Sequence, residues 1–275
     1  MHSHLISLFG LDIQSYGVML AIGFALCYAL ACRLARRLGR EEPVDSVVML
    51  AAVGGVIGAR AVYVWQNWEA EFARHLDRIP MVWQGGLVFY GGFILALALI
   101  VIHRRLRSEP LWAATDFYAV FLPLGQAFGR VGCFLHGCCF GGVVQQGNWL
   151  GVCFPHGSPA WSHQVAEGAL SPYATRSLPV WPTQLMEAAG CVALFVALWL
   201  ICRKPWGRRP GLCSGLYCLS YGVLRFVVET LRDDPRGARL LGLSFSQCVS
   251  LGLLAAGTLF VFYSFWRMRH GTKHC

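Results

Sequence analysis

Charge is scarce in this sequence. Lysine, arginine, aspartate and glutamate make up 13 % of its 275 residues, against about 25 % in an ordinary soluble domain. Hydrophobic residues reach 56 %, and the mean hydropathy is +0.52. A soluble globular class is thereby excluded, and a chain that crosses a membrane several times is implied. The opening Met1-His-Ser-His lacks the basic stretch of a secretory leader, so no cleaved signal peptide is expected. Also missing are a glycine-rich nucleotide loop and a G-x-S-x-G nucleophile elbow. Cysteine is not scarce: there are 12. Most lie in apolar stretches, as Cys27, Cys191, Cys218 and Cys248 do, where cysteine behaves as a small hydrophobe rather than as part of a disulfide framework.

Apolar runs of spanning length, or close to the roughly 20 residues a spanning helix needs, cover 16–34, 44–64, 87–102, 113–135, 185–202, 211–231 and 243–266. The third is short, and an extension back towards Met81 is expected. The fold class is therefore all-α: a polytopic membrane protein of seven transmembrane helices in one domain, residues 1–275.

The formal charge of +9 reads as topology, not as nucleic-acid binding, once the basic residues are placed. With the N-terminus outside, the inner loops hold Arg33, Arg36, Arg37, Arg40, Arg104, Arg105, Arg107, Arg203, Lys204, Arg208, Arg209, Arg267, Arg269 and Lys273. The outer loops hold only Arg74, Arg78, Arg176, Arg232, Arg236 and Arg239. That bias sets the N-terminus outside and the C-terminus inside. Arg60, Arg130 and Arg225 remain within helices, each in the last third of a helix running outward, so all three are expected at the depth of the outer leaflet.

A charge at that depth costs about 2.5–3.5 kcal/mol on insertion scales. Such an arginine is either functional or snorkels to the headgroups. Glu229 lies four residues after Arg225, on the same helix face, and Glu187 opens helix five. Three arginines against two glutamates suggest an anion site, with a lipid phosphate as the natural occupant.

Two outer segments stand apart. Residues 65–86 carry Trp65, Trp68 and Trp83 and end in Gln84-Gly-Gly-Leu-Val-Phe-Tyr-Gly-Gly92, which fits either an interfacial aromatic belt or a binding edge. Residues 136–184, rich in Gly, Pro and Ser, are expected to form a small outer head without a helix of its own, with short strands around 149–154. At its start, Cys133, His136, Cys138 and Cys139 form C-x2-H-x-C-C. These are soft ligand types, but the spacing is too compact for a zinc knuckle. Inert packing, a disulfide among Cys138, Cys139 and Cys153, and a metal site all remain open.

Taken together, several motifs resemble those of the bacterial prolipoprotein diacylglyceryl transferases, nearly end to end. They are Ser15-Tyr-Gly17; Gly58-Ala-Arg60; Trp83-Gln-Gly-Gly-Leu87 with Gly91-Gly92; Gly125-Gln with Gly129-Arg-Val-Gly132; Pro182-Thr-Gln-Leu185 with Glu187; and Tyr221-Gly with Arg225-Phe-Val-Val-Glu229. The resemblance implies transfer of a diacylglyceryl group from phosphatidylglycerol to the lipobox cysteine of a prolipoprotein, in a bacterial inner membrane, with the active site towards the periplasmic leaflet. It implies no cofactor or metal and no nucleic-acid partner.

Arg130, Arg225, Glu229, His136 and Tyr90 are the implied catalytic set. Arg60, Tyr16, Gly85, Gly86, Gly91, Gly132, Cys133, Gly141, Gln184 and Glu187 are implied to bind substrate. The chain departs from the family pattern at Tyr90 and Trp181, where the family has His. It departs again at Cys133, His136 and Cys138, where the family has Asn, Asn and Glu. His136 is the best local candidate for a base. Two alternatives accompany this reading: a relative that binds lipid or lipoproteins without the chemistry, and a thiol- or metal-handling membrane protein.

Overall fold

In the computed structural model, residues 4–8, 11–40, 42–145, 147–204, 209–234 and 242–271 are described. Arg208, Arg236, Arg239 and Lys273 of the topology argument lie outside them. A short antiparallel hairpin, β1 (His4–Leu8) and β2 (Leu11–Gln14), precedes the helices. Six single helices are long and apolar enough to span: α1 (Ser15–Leu38), α2 (Val44–Gln66), α3 (Phe89–Leu106), α7 (Thr183–Cys202), α8 (Leu212–Thr230) and α9 (Phe245–Gly271). The seventh candidate span is a bent pair of helices. Helices α4 (Leu111–Ala119) and α5 (Leu122–His136) meet at a bend of 40°. Pro123 sits in the first turn of α5, and its ring and missing N–H prevent a continuous helix through this point.

The third span runs forward, not back. A 3-10 turn at Val82–Gln84 is followed by Gly85 and Gly86 at φ of +89° and +72°, which no helix accommodates. The helix therefore starts at Phe89 and reaches its length by extending to Leu106.

The residues divide into two compact units, Tyr28–Ala114 and the remainder. In the first, α2 and α3 pack with Gly58 against Gly91 and Gly92 against Gly55, so closely that a Cβ on Gly58, Gly91 or Gly92 would meet the opposite backbone. This is the small-residue contact that lets membrane helices approach. Arg104 is buried there, paired with Glu42 at 2.9 Å and Glu109 at 3.0 Å. In the second unit, the N-terminal end of α1 packs on α5 through Tyr16 and Gly132, and α5, α7, α8 and α9 follow one another in contact. Asp116 on α4 accepts the backbone N–H groups of Gly211 at 2.6 Å and Ser214 at 2.8 Å, so a remote carboxylate caps the start of α8.

The connection from α5 to α7 does contain a helix, α6 (Pro159–Ala166), capped by Ser158 and started by Pro159. Its backbone bridges join Val143 and Val152 to Val180, and Pro155 to Arg176, around a core of Phe140, Phe154, Ala160 and Val180.

Gly91→Val is predicted to overpack the α2–α3 contact at a cost of about 1–3 kcal/mol, lowering the thermal midpoint of the detergent-solubilised protein. An unchanged midpoint would show that the helices do not meet there.

Candidate active site

The buried charges of the larger unit converge on one carboxylate. Arg130 comes from α5 and Glu187 from α7; Tyr221, Arg225 and Glu229 follow at four-residue intervals on one face of α8. Glu187 is fully buried. Its Oε2 faces Arg130 Nε at 3.1 Å and Arg225 Nη1 at 3.1 Å, and its Oε1 accepts the Tyr221 hydroxyl at 3.2 Å. Arg225 Nη2 donates to Glu229 Oε2 at 2.7 Å and to Ser246 Oγ at 3.0 Å. Ser244 forms a capping box with Gln247 at the start of α9 and donates its hydroxyl to Glu229 Oε1 at 2.7 Å. Three helices and the start of a fourth are thus joined by charge-assisted bonds, which are stronger than neutral ones.

The two arginines differ in how they are used. Both terminal nitrogens of Arg225 are engaged by protein partners. Arg130 makes its ion pair through Nε alone among the described residues, and its side chain retains 18 % exposure. Arg232, just past α8, forms a double contact with Asp234 at 2.9 and 3.0 Å and lies 4.0 Å from Glu229. Among the described residues here, three arginines therefore meet three carboxylates, where the sequence predicts a positive surplus.

The cysteine segment folds over the same place. Gly137 ends α5 in the left-handed conformation (φ +82°), and the Cys138 N–H returns to the Cys133 carbonyl at 3.2 Å. This turn brings the sulfurs of Cys133, Cys138 and Cys139 within 4.8 Å of one another. Gln184 Nε2 donates to the Cys138 carbonyl at 2.7 Å, and Thr183 Oγ1 to the Cys139 carbonyl at 2.8 Å. Gly141 is wedged between the Leu231 carbonyl, Trp181 and Thr183, and its N–H donates to the Trp181 carbonyl at 3.0 Å.

Hydrogen bonds from Cys133 and Cys138, helped by Arg232 and Arg130, hold the Cys139 thiol below its ordinary pKa, while the same bonding pushes Cys138 up. The cysteines among the described residues are free thiols. Tyr16, on α1, lies within electrostatic range of the three thiols and Arg130. His136, half-buried on the last turn of α5, stands outside the thiol cluster.

The other expected site residues form a separate constellation within Tyr28–Ala114. Arg60 is buried beside the rings of Tyr63 and Phe72. Its guanidinium donates to four carbonyls: Ile79 at 2.8 Å, Arg78 at 2.6 Å, Gly85 at 2.9 Å and Gly86 at 3.2 Å. It thereby shapes the loop that carries Gly85 and Gly86. Gly91 has its helix-packing role, and Tyr90 is half-exposed at the start of α3, edge-on to Phe89 at 5.7 Å. Sequence reasoning missed the parts played by Tyr221, Ser244, Ser246 and the Arg232–Asp234 pair. The four-residue step from Tyr221 through Arg225 to Glu229 was the available signal for the first.

Comparison with known proteins bears on this arrangement. The family described as prolipoprotein diacylglyceryl transferase matches residues 3–263. The phosphatidylglycerol–prolipoprotein diacylglyceryl transferase of Burkholderia thailandensis is 35 % identical, over 94 % of this chain and 92 % of its own length. The enzyme of the same name from Cupriavidus necator is 31 % identical, over 94 % and 90 %. That of Burkholderia mallei is 34 % identical, over 94 % and 92 %.

Glu187→Ala is predicted to leave two guanidinium groups facing each other without their shared counter-ion, destabilising the protein by about 3–5 kcal/mol. Thermal unfolding in detergent measures this; a wild-type midpoint would mean that Glu187 holds neither arginine.

Proposed function

Because the chain belongs to the prolipoprotein diacylglyceryl transferase family, we propose that it moves the diacylglyceryl group of phosphatidylglycerol onto the lipobox cysteine thiol of a prolipoprotein, forming a thioether and releasing glycerol phosphate. The observation that carries this reading is Arg130: a guanidinium held by a fully buried carboxylate through one nitrogen, with its remaining donors uncommitted among the described residues.

The chemistry is a displacement at the glyceryl carbon bonded to the phosphate oxygen. It needs a thiolate nucleophile and stabilisation of charge on the departing phosphate. Arg130 supplies the second through the donors of its terminal nitrogens, aimed at the phosphate as the C–O bond breaks. Since three arginines are matched by three carboxylates nearby, the stabilisation is directional hydrogen bonding, not a diffuse positive field.

Arg225 acts mainly as a positioning residue. It fixes Glu187 and Glu229, and Glu187 in turn fixes Arg130. Substrate binding beside Arg130 is assigned to Gln184, Gly132, Gly141, Cys133 and Tyr16. Arg60, Gly85, Gly86, Gly91 and Tyr90 are assigned to the binding of lipid or peptide, and His136, two residues before Cys138 in the chain, is the candidate base. The bias of basic residues supports a site at the periplasmic leaflet of a bacterial inner membrane, with residues 136–184 as a head above it.

Arg130→Ala should lower transfer from labelled phosphatidylglycerol to a lipobox peptide by about 100-fold or more, as removal of one preorganised donor does elsewhere, while the protein stays inserted and folded. Arg225→Lys should lose activity together with thermal stability, because an ammonium cannot bridge both carboxylates and Ser246. Wild-type transfer by the Arg130 variant would remove the phosphate role.

A further inference from the structure

The thiol cluster has a geometry that the transfer chemistry has not yet used. Zinc binds thiolate sulfur at about 2.3 Å, which sets sulfurs sharing one ion roughly 3.8 Å apart. Cys133, Cys138 and Cys139 already lie within 4.8 Å of one another, a separation that small side-chain rotations close. The turn carrying them is fixed before any ion arrives: by left-handed Gly137, by the return bond to Cys133, and by Gln184 and Thr183 on the carbonyls of Cys138 and Cys139. Such outer contacts commonly orient metal ligands.

No fourth His, Cys, Asp or Glu among the described residues joins the three sulfurs. Three protein ligands with one position open is the pattern of catalytic zinc, whereas structural zinc is closed by four. Arg130 lies one helical turn before Cys133, and Arg232 is bridged to Gly141 two residues past Cys139. The site therefore stands directly beside the arginine assigned to the phosphate.

We propose that Cys133, Cys138 and Cys139 bind a zinc ion whose open position takes the lipobox cysteine thiol, making it the thiolate that attacks the lipid. This rests on the transferase reading above, and it replaces the expectation of a metal-free site. A thiol bound to zinc is deprotonated outright. The substrate S–H releases its proton to solvent as the S–Zn bond forms. The sulfur electron pair then makes the S–C bond to the glyceryl carbon. The C–O bond breaks with its electrons left on the phosphate oxygen, which leaves as glycerol phosphate beside Arg130. The thioether, a neutral and weaker ligand, departs from the ion. Nothing is oxidised or reduced.

The test uses the full-length protein, purified in detergent with reductant, then dialysed against zinc or against cobalt(II) as a spectroscopic probe. One zinc per chain is expected, with affinity reduced at least about tenfold by Gln184→Ala and binding lost in Cys138→Ser/Cys139→Ser, but unchanged in Cys153→Ser. A lipobox peptide should alter the cobalt thiolate absorption, and its cysteine-to-serine counterpart should not. Chelator-stripped wild type should lose transfer from labelled phosphatidylglycerol and regain it with zinc, which tests the role without any substitution.

Failure to bind zinc with all three thiols reduced, or binding of copper(I) with no response to the peptide, overturns the proposal. Full transfer by metal-free enzyme overturns the zinc role and leaves the transferase standing. Zinc and peptide thiol bound without transfer uphold the site and overturn the transferase reading, and with it the catalytic half of the proposal.

Discussion

One carboxylate holds the larger unit together. Glu187 is fully buried in a chain poor in charge, and it survives there because Arg130 and Arg225 reach the same oxygen from two other helices. An unpaired ion at such a place would cost several kcal/mol. Placing Glu187 therefore fixes the mutual positions of α5, α7 and α8, and through Arg225, Glu229 and Ser244 the start of α9. The same constraint leaves Arg130 oriented but with donors to spare among the described residues, and the proposed phosphate role uses them. In the proposed function, stability and activity draw on one set of bonds.

Beside that core, the turn that ends α5 carries three sulfurs. The fold tolerates this because the turn is held through backbone groups: Gly137 by its conformation, Cys138 and Cys139 by their carbonyls, and Gly141 by its N–H. Side chains on such a turn can change from amide and carboxylate to thiol without loss of shape. What changes is the chemistry the turn can support, from hydrogen bonding and proton transfer to soft-metal coordination and thiolate formation.

Much of the helical plan was legible, because spanning helices announce themselves by apolar length. The Arg225–Glu229 pair was legible too, because a spacing of four defines a helix face. The break before Pro123 was present in the sequence but hidden inside an uninterrupted apolar run, where hydropathy carries no signal for a kink. The third helix was extended in the wrong direction because composition does not register that Gly85 and Gly86 take positive φ. Arg60 was counted towards the anion site; its four carbonyl partners come from a loop 18 to 26 residues away, and such a contact has no local signature. The cap that Asp116 provides to α8 escaped notice for the same reason. The C-x2-H-x-C-C spacing looked too compact for a metal because spacing rules assume an extended knuckle, whereas a helix end followed by a left-handed glycine doubles the chain back on itself.

The central claim is that Arg130 works on the lipid phosphate through the orientation Glu187 imposes. A double-mutant cycle of Arg130→Gln and Glu187→Gln, read as the rate of diacylglyceryl transfer from labelled phosphatidylglycerol to a lipobox peptide, tests it most directly. The account predicts strong coupling, on the order of 1 kcal/mol or more, with the double variant scarcely slower than the slower single one. Strictly additive losses would mean that the two side chains act independently, and would contradict it.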